Sequence, residues 1–211
     1  MLLRMKSPMS HPKFAKPDHP IHDVLTRRWS PYVFADRPVS EDDLRALFEA
    51  ARWAPSAYNE QPWRYIVATK SEPEEFARLL GCLVEANQAW ARTVPVLAMG
   101  CTMLNFSKNG KPNGTALHDL GLASGNLLAE ATARGLVVHQ MSGILPDRVK
   151  ELYGLPEGAR AITGIAIGYA ADMDALPEEM REDELSPRAR RPLGGFVFGG
   201  RWEAPSRIVA G

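Results

Sequence analysis

The residues of this 211-residue chain that could do chemistry are few and far apart. Arg28-Trp29-Ser30 stands near one end and Arg188-Ala189-Arg190-Arg191 near the other. Guanidinium groups make bidentate, charge-assisted bonds to phosphate or carboxylate, so the two sets could converge on one anion. Taken alone, Arg188 to Arg191 also reads as a solvated basic tail. Between them lies Trp53-Ala54-Pro55-Ser56-Ala57-Tyr58-Asn59-Glu60-Gln61-Pro62-Trp63, whose two prolines keep its backbone from extending either neighbour. It is suited to presenting Ser56, Asn59 and main-chain groups to something planar or anionic. The plainer alternative is a helix-to-strand turn whose tryptophans are core.

Other chemistries lack their patterns. No Gly-x-Gly-x-x-Gly follows a predicted strand, and Gly110-Lys111 is followed by proline, so there is no P-loop. Gly121-Leu122-Ala123-Ser124-Gly125 fails the nucleophile-elbow spacing. His118-Asp119 reads as a helix surface pair, and the histidines show no ligand pattern, so neither hydrolysis nor a metal is indicated. Cys82 and Cys101 match no metal spacing and read as buried thiols in a reducing compartment. Formal net charge is +0, which weighs against a nucleic-acid partner. No apolar run approaches the ~20 residues that span a bilayer. Residues 1–20 lack the apolar segment of a secretory signal, so a cytoplasmic protein is expected.

The elements that must position these residues follow from local signals. Ile21 to Arg28 has a short helical pattern. Ser40 caps a helix with acids in its first turn, buried along Leu44, Leu47, Phe48 and Ala51. Arg64 to Thr69 is a strand, and Ser71-Glu72-Pro73-Glu74 reads as a capping-box start. Val94 to Cys101 is a second strand, apolar on both faces and so central. Phe106 to Gly114 reads as a mobile loop. Thr115 to Arg134 is a long helix ending at Gly135, with apolar residues nearly all round and small residues at Gly121, Ala123, Ser124 and Gly125. It should be buried on most sides, which argues for a homodimer. A strand over 136–138 leads into a loop over 139–143. Pro146 to Tyr153 is a helix, Ala161 to Tyr169 a strand buried on both faces, and Pro177 to Glu184 a short charged helix.

Five motifs in order tie these pieces together: Arg28-Trp29-Ser30-Pro31-Tyr32-Val33-Phe34, Trp53 to Trp63, Asn87-Gln88-Ala89-Trp90, His139-Gln140-Met141-Ser142-Gly143 and Arg188 to Leu193. Together they resemble the FMN-dependent nitroreductase family over about residues 21–203. The resemblance implies an α+β fold with a central mixed β-sheet flanked by helices, built as an intertwined homodimer. The Lys, Pro and His content of residues 1–20 reads as a loose arm, and the residues from about 186 to 203, with hydrophobic anchors but no core of their own, read as an extension wrapping the partner subunit ahead of a tail over 204–211. The resemblance also implies FMN, held at the phosphate and ribityl chain by Arg28 and Ser30, with Trp29 and Tyr32 alongside and Arg188 and Arg190 completing the clamp. Pro55, Ser56, Ala57 and Asn59 would come from the partner. Asn87 would lie near the pyrimidine ring, and Met141, Ser142 and Gly143 would face N5 and O4. No side chain is then required as acid or base.

The implied reaction is NAD(P)H-driven ping-pong reduction of a small electron-poor acceptor, a nitroaromatic or a quinone. Alternatives are a non-catalytic FMN sensor or carrier, and a specialised relative that dehalogenates aromatics or cleaves flavin. One departure matters. The family usually has Lys or Arg where this chain has Tyr32, and a phenol offers no positive charge. A lower flavin reduction potential is expected unless Arg27, Arg64 or a partner residue substitutes.

Overall fold

The computed structural model describes residues 11–209; of the arm expected over 1–20 and the tail over 204–211, residues 1–10 and 210–211 lie outside the described residues. Helix α1 spans Asp23–Arg27 and helix α2 Glu41–Arg52. The start of α2 is where its cap places it: Ser40 Oγ accepts the Asp43 N–H at 3.1 Å, below a first turn of three acids. Strand β1 covers Trp63–Thr69 and helix α3 Pro73–Leu80. The capping box expected at Ser71 does not form. Glu72 occupies the cap position without a side-chain bond, and the Ser71 hydroxyl pairs with Thr69 Oγ1 at 2.6 Å instead.

Helix α4, Glu85–Ala91, has no strong sequence signal; strand β2 follows over Val96–Met103 and helix α5 over Ala116–Ala133. Strand β3 runs Val137–Met141, so His139, Gln140 and Met141 are strand and not loop. They are drawn in by pairing with the next strand, His139 opposite Ala166 and Met141 opposite Gly164. Helix α6 (Pro146–Tyr153), strand β4 (Ala159–Gly168) and helix α7 (Glu178–Leu185) complete the regular elements among the described residues.

The strands lie in the order β1-β2-β4-β3. The resemblance implies a mixed sheet; within one chain the three described pairings are all antiparallel. β2 and β3 run the same way, but β4 lies between them and opposes both. β2 is central and buried on both faces, as its unbroken apolar run requires. Val96 and Ala98 pack with Leu47, Ala51, Leu120 and Leu127, while Leu97 and Met99 pack with Phe76, Leu79 and Val149. The period-two alternation thus feeds two cores, one under α2 and α5 and one under α3 and α6. Each fully buried leucine or isoleucine contributes about 1.5–3 kcal/mol.

Helix α5 is less enclosed than its composition suggests. Leu120, Ala123, Leu127 and Ala131 are buried, yet Leu117 is 48% exposed and Gly121 and Gly125 have no atom within 4 Å of where a Cβ would stand. The helix packs on one face of the sheet and against α2, and among the described residues nothing outside the helix approaches Gly121 or Gly125. Asp119, expected at the surface, is buried. The stretch 106–114, read as a loop, folds back on itself through Phe106 N–H to the Lys111 carbonyl at 2.8 Å. Among the described residues no helix is long and apolar enough to cross a membrane, and no group of three or more His, Cys, Asp or Glu gathers as a metal site. Cys82 and Cys101 are buried free thiols, and burial pushes Cys101 up to about 11.

Candidate functional site

Three short segments come together at the α1 end of the molecule. α1 ends at Arg27, and Arg28 turns out of it so that its Nη1 donates to Ser30 Oγ at 3.0 Å. From the far end of the chain, Arg188 donates from Nε to the Lys13 carbonyl at 2.5 Å and from Nη2 to the Thr26 carbonyl at 3.2 Å. Arg190 donates to its neighbouring carbonyl of Ala189 at 2.8 Å. Burial lowers the Arg28 pKa, and the charge of Arg190 lowers it further; for Arg188 burial again leads, followed by Arg28 and Arg190. None of these three arginines forms an ion pair among the described residues. Three mutually repelling cations held by neutral carbonyls and a hydroxyl leave an anion's place between them. The arginines from the two ends of the chain are therefore neighbours within one chain.

Trp29 is buried and stacks on His11 at 4.4 Å between centroids, which fixes the chain on either side of Arg28. Tyr32 is part of an aromatic cluster: its ring is edge-on to Trp90 at 5.3 Å and to His139 at 4.7 Å. His139 was not a sequence candidate in its own right. Its Nδ1 lies 2.8 Å from the Pro31 carbonyl, so it ties β3 to the segment bearing Arg28 and Tyr32. Both arginines that could substitute for the missing cation have partners of their own. Arg27 Nε lies 2.7 Å from Asp23, and Arg64 Nη1 donates to the carbonyls of Gln61 and Trp63 at 3.0 and 2.7 Å.

β3 ends in the second part of the site. The Met141 side chain is buried in the core, so only its backbone can face a ligand. Beyond it, the N–H groups of Ser142 and Gly143 donate to no acceptor among the described residues, while the Gly143 carbonyl accepts from Val84 N–H at 3.1 Å and Asn87 Nδ2 at 3.0 Å. Asn87, expected beside a ring, braces this turn with one N–H of its amide. A Cβ at Gly143 would sit 2.5 Å from Asn87 Nδ2 and 2.8 Å from Val84 Cγ2, which explains why glycine stands there. The turn offers two main-chain donors on a rigid edge.

The third part, Trp53 to Trp63, divides the two readings of that stretch. Trp63 is core at 8% exposure, but Trp53 is 72% exposed and Tyr58 94%. Tyr58, Asn59 and Gln61 all hold positive φ, at 53°, 56° and 51°, a conformation disfavoured for residues with a Cβ. Asp119 holds the strained turn by accepting from Ala57 N–H at 3.2 Å, and Ser56 Oγ accepts from Gln61 N–H at 3.0 Å. No hydrogen bond or ring contact joins Pro55, Ser56, Ala57 or Asn59 to the arginine cluster or to residues 142–143 within the chain. Asp119 and Glu184, whose carboxyl is buried behind Tyr32, are the site-shaping groups that sequence reasoning missed.

The family model described as "Nitroreductase family" matches residues 25–169. The chain is 28% identical to the FMN reductase (NAD(P)H) of Bacillus subtilis, over 77% of this chain and 75% of that protein. Among solved structures, one described as an oxidoreductase containing FMN superposes with a TM-score of 0.81 at 34% identity, over 90% of this chain and 96% of that one. A nitroreductase family protein from Clostridium difficile 630 shares the fold with a TM-score of 0.65 at 24% identity, over 84% of this chain and 96% of that one.

Proposed function

This chain belongs to the nitroreductase family, and from that premise we propose that it is an FMN-dependent oxidoreductase that uses NAD(P)H to reduce nitroaromatics, quinones or similar electron-poor acceptors. The observation that carries the reading is the meeting of Arg28, Arg188 and Arg190 from opposite ends of the chain with no carboxylate among them. A phosphate monoester supplies the missing charge. The free N–H groups of Ser142 and Gly143 suit the acceptor edge of a flavin ring, so both ends of FMN find fitting partners.

When bound, FMN would supply the redox chemistry that links oxidation of the nicotinamide to reduction of the acceptor. The chain's own work is to hold and orient. Arg28, Arg188 and Arg190 anchor the phosphate, with Ser30 beside Arg28. The 142–143 turn, braced by Asn87 and Val84, offers two main-chain donors. Tyr32, Trp90 and His139 wall one side with neutral groups.

The working unit in this proposal is a homodimer. The open stripe of α5 at Leu117, Gly121 and Gly125 lets a second helix approach closely. The strained 55–59 turn then serves the other subunit's ring, and the residues after 186, with Phe196 at 58% and Trp202 at 80% exposure, find cover on the partner. The test is direct. Purified protein should be yellow, release FMN on denaturation, and oxidise NADH or NADPH only when menadione or a nitrofuran is added. FMN-loaded protein without acceptor-dependent turnover would instead be a carrier or sensor, and colourless protein that refuses FMN would end the proposal.

A further inference from the structure

Glu184 is a carboxyl with 1% exposure that none of the roles above uses. Its Oε1 accepts the backbone N–H of Tyr32 and, at 3.1 Å, that of Val33. Its Oε2 is buried without a hydrogen-bond partner. Burial pushes the group's pKa up, while the two N–H bonds and the charge of Lys13 pull it back. A carboxyl is costly to bury unless bonded, and here one oxygen carries all the bonding.

Its place in the chain gives this arrangement a purpose. Glu184 lies in the last turn of α7, and the segment leaving that helix carries Arg188 to the carbonyls of Lys13 and Thr26 beside Arg28. The segment it grips bears Pro31, whose carbonyl faces His139 Nδ1, and Tyr32, whose ring packs against Trp90 and His139. Releasing the Glu184 contact would free both at once. The two N–H groups would lose their acceptor, and the tail would lose the contact that sets where its arginines begin.

We propose that Glu184 is a positioning residue that locks the tail's arginines to the 31–33 segment, so that the phosphate end and the ring-facing wall of the site form together. This rests on the FMN reading above. Glutamine at 184 keeps one accepting oxygen but places a donor where Oε2 has no partner, and alanine removes the acceptor altogether.

The test titrates full-length, flavin-stripped protein with FMN and with riboflavin, which lacks the phosphate, and records the absorption spectrum of bound flavin at saturation. Arg188→Ala should weaken FMN and leave riboflavin unchanged. Glu184→Ala should weaken both by about tenfold or more and shift the bound spectrum, and Glu184→Gln should recover part of the loss. Glu178→Ala, an exposed acid on the same helix, should change neither. If Glu184→Ala does not fold, the glutamine variant alone decides: weaker binding of both flavins supports the proposal. Unchanged binding and spectrum in the Glu184 variants, or a loss confined to FMN, overturns it while leaving the FMN reading intact. Wild-type protein that binds neither flavin overturns both.

Discussion

His139 Nδ1 stands 2.8 Å from the carbonyl oxygen of Pro31, 108 positions away along the chain. A carbonyl only accepts, so Nδ1 carries the proton and, in the neutral ring, Nε2 is left as an acceptor. Burial lowers this histidine's pKa below its ordinary value of 6.5; the Pro31 bond opposes that shift and the charge of Arg28 adds to it. The folded protein therefore binds fewer protons here than the unfolded chain does once the pH drops below about 6.5. Stability is full above that value and falls as pH descends toward the lowered folded pKa. Urea midpoints at about pH 7.5 and about pH 5.5 should differ less in His139→Gln than in wild type. An identical difference would place the acid sensitivity elsewhere.

Arg190 should act oppositely on stability and on binding. Its charge depresses the pKa of both Arg28 and Arg188, so it opposes the flavin-free fold. Arg190→Ala should leave the melting temperature of flavin-free protein unchanged or slightly higher. FMN affinity should fall about tenfold to a hundredfold, the range of a charge-assisted hydrogen bond at ~1.5–3 kcal/mol. A fall in flavin-free stability as large as the loss in binding would make Arg190 a structural residue.

Tyr32 places a phenol where the resemblance to the family implies a cation, and Arg27 and Arg64 have partners of their own. Tyr32→Lys should raise the midpoint potential of bound flavin in a potentiometric titration. Equal midpoints would mean that a group outside the described contacts already supplies the charge.

Gly125 offers a test of the proposed homodimer that leaves folding intact. A Cβ there would meet nothing within 4 Å outside its own helix backbone among the described residues, and replacing a helical glycine gains about 0.5–1 kcal/mol of helix propensity. Gly125→Glu should therefore fold at least as well as wild type but sediment as a monomer and lose FMN. A variant that sediments as wild type would remove α5 from the interface.

Local signals in the sequence located most elements. Ser40 caps α2, Pro73 and Pro146 open α3 and α6, and Gly135 and Gly154 end helices at φ of 79° and 61°. Each of these rests on forces reaching only a few residues along the chain: a cap bond, a fixed φ, a missing Cβ. The apolar run of β2 likewise announced a strand buried on both faces. The order of five weak motifs was enough to identify the family, because that order survives without any knowledge of contacts.

What the tertiary structure decided is how these pieces meet. His118-Asp119 looked like a surface pair, yet Asp119 is buried and holds Ala57. His139 to Met141 looked like loop, and pairing with β4 made them strand. Glu184 sat in a charged helix like any solvated acid, and it became the acceptor for Tyr32 across 152 positions of chain. No periodicity encodes such a contact. A carboxylate's partner is set by which backbone groups remain unpaired after the sheet and helices have packed, and that is known only once the whole chain has folded.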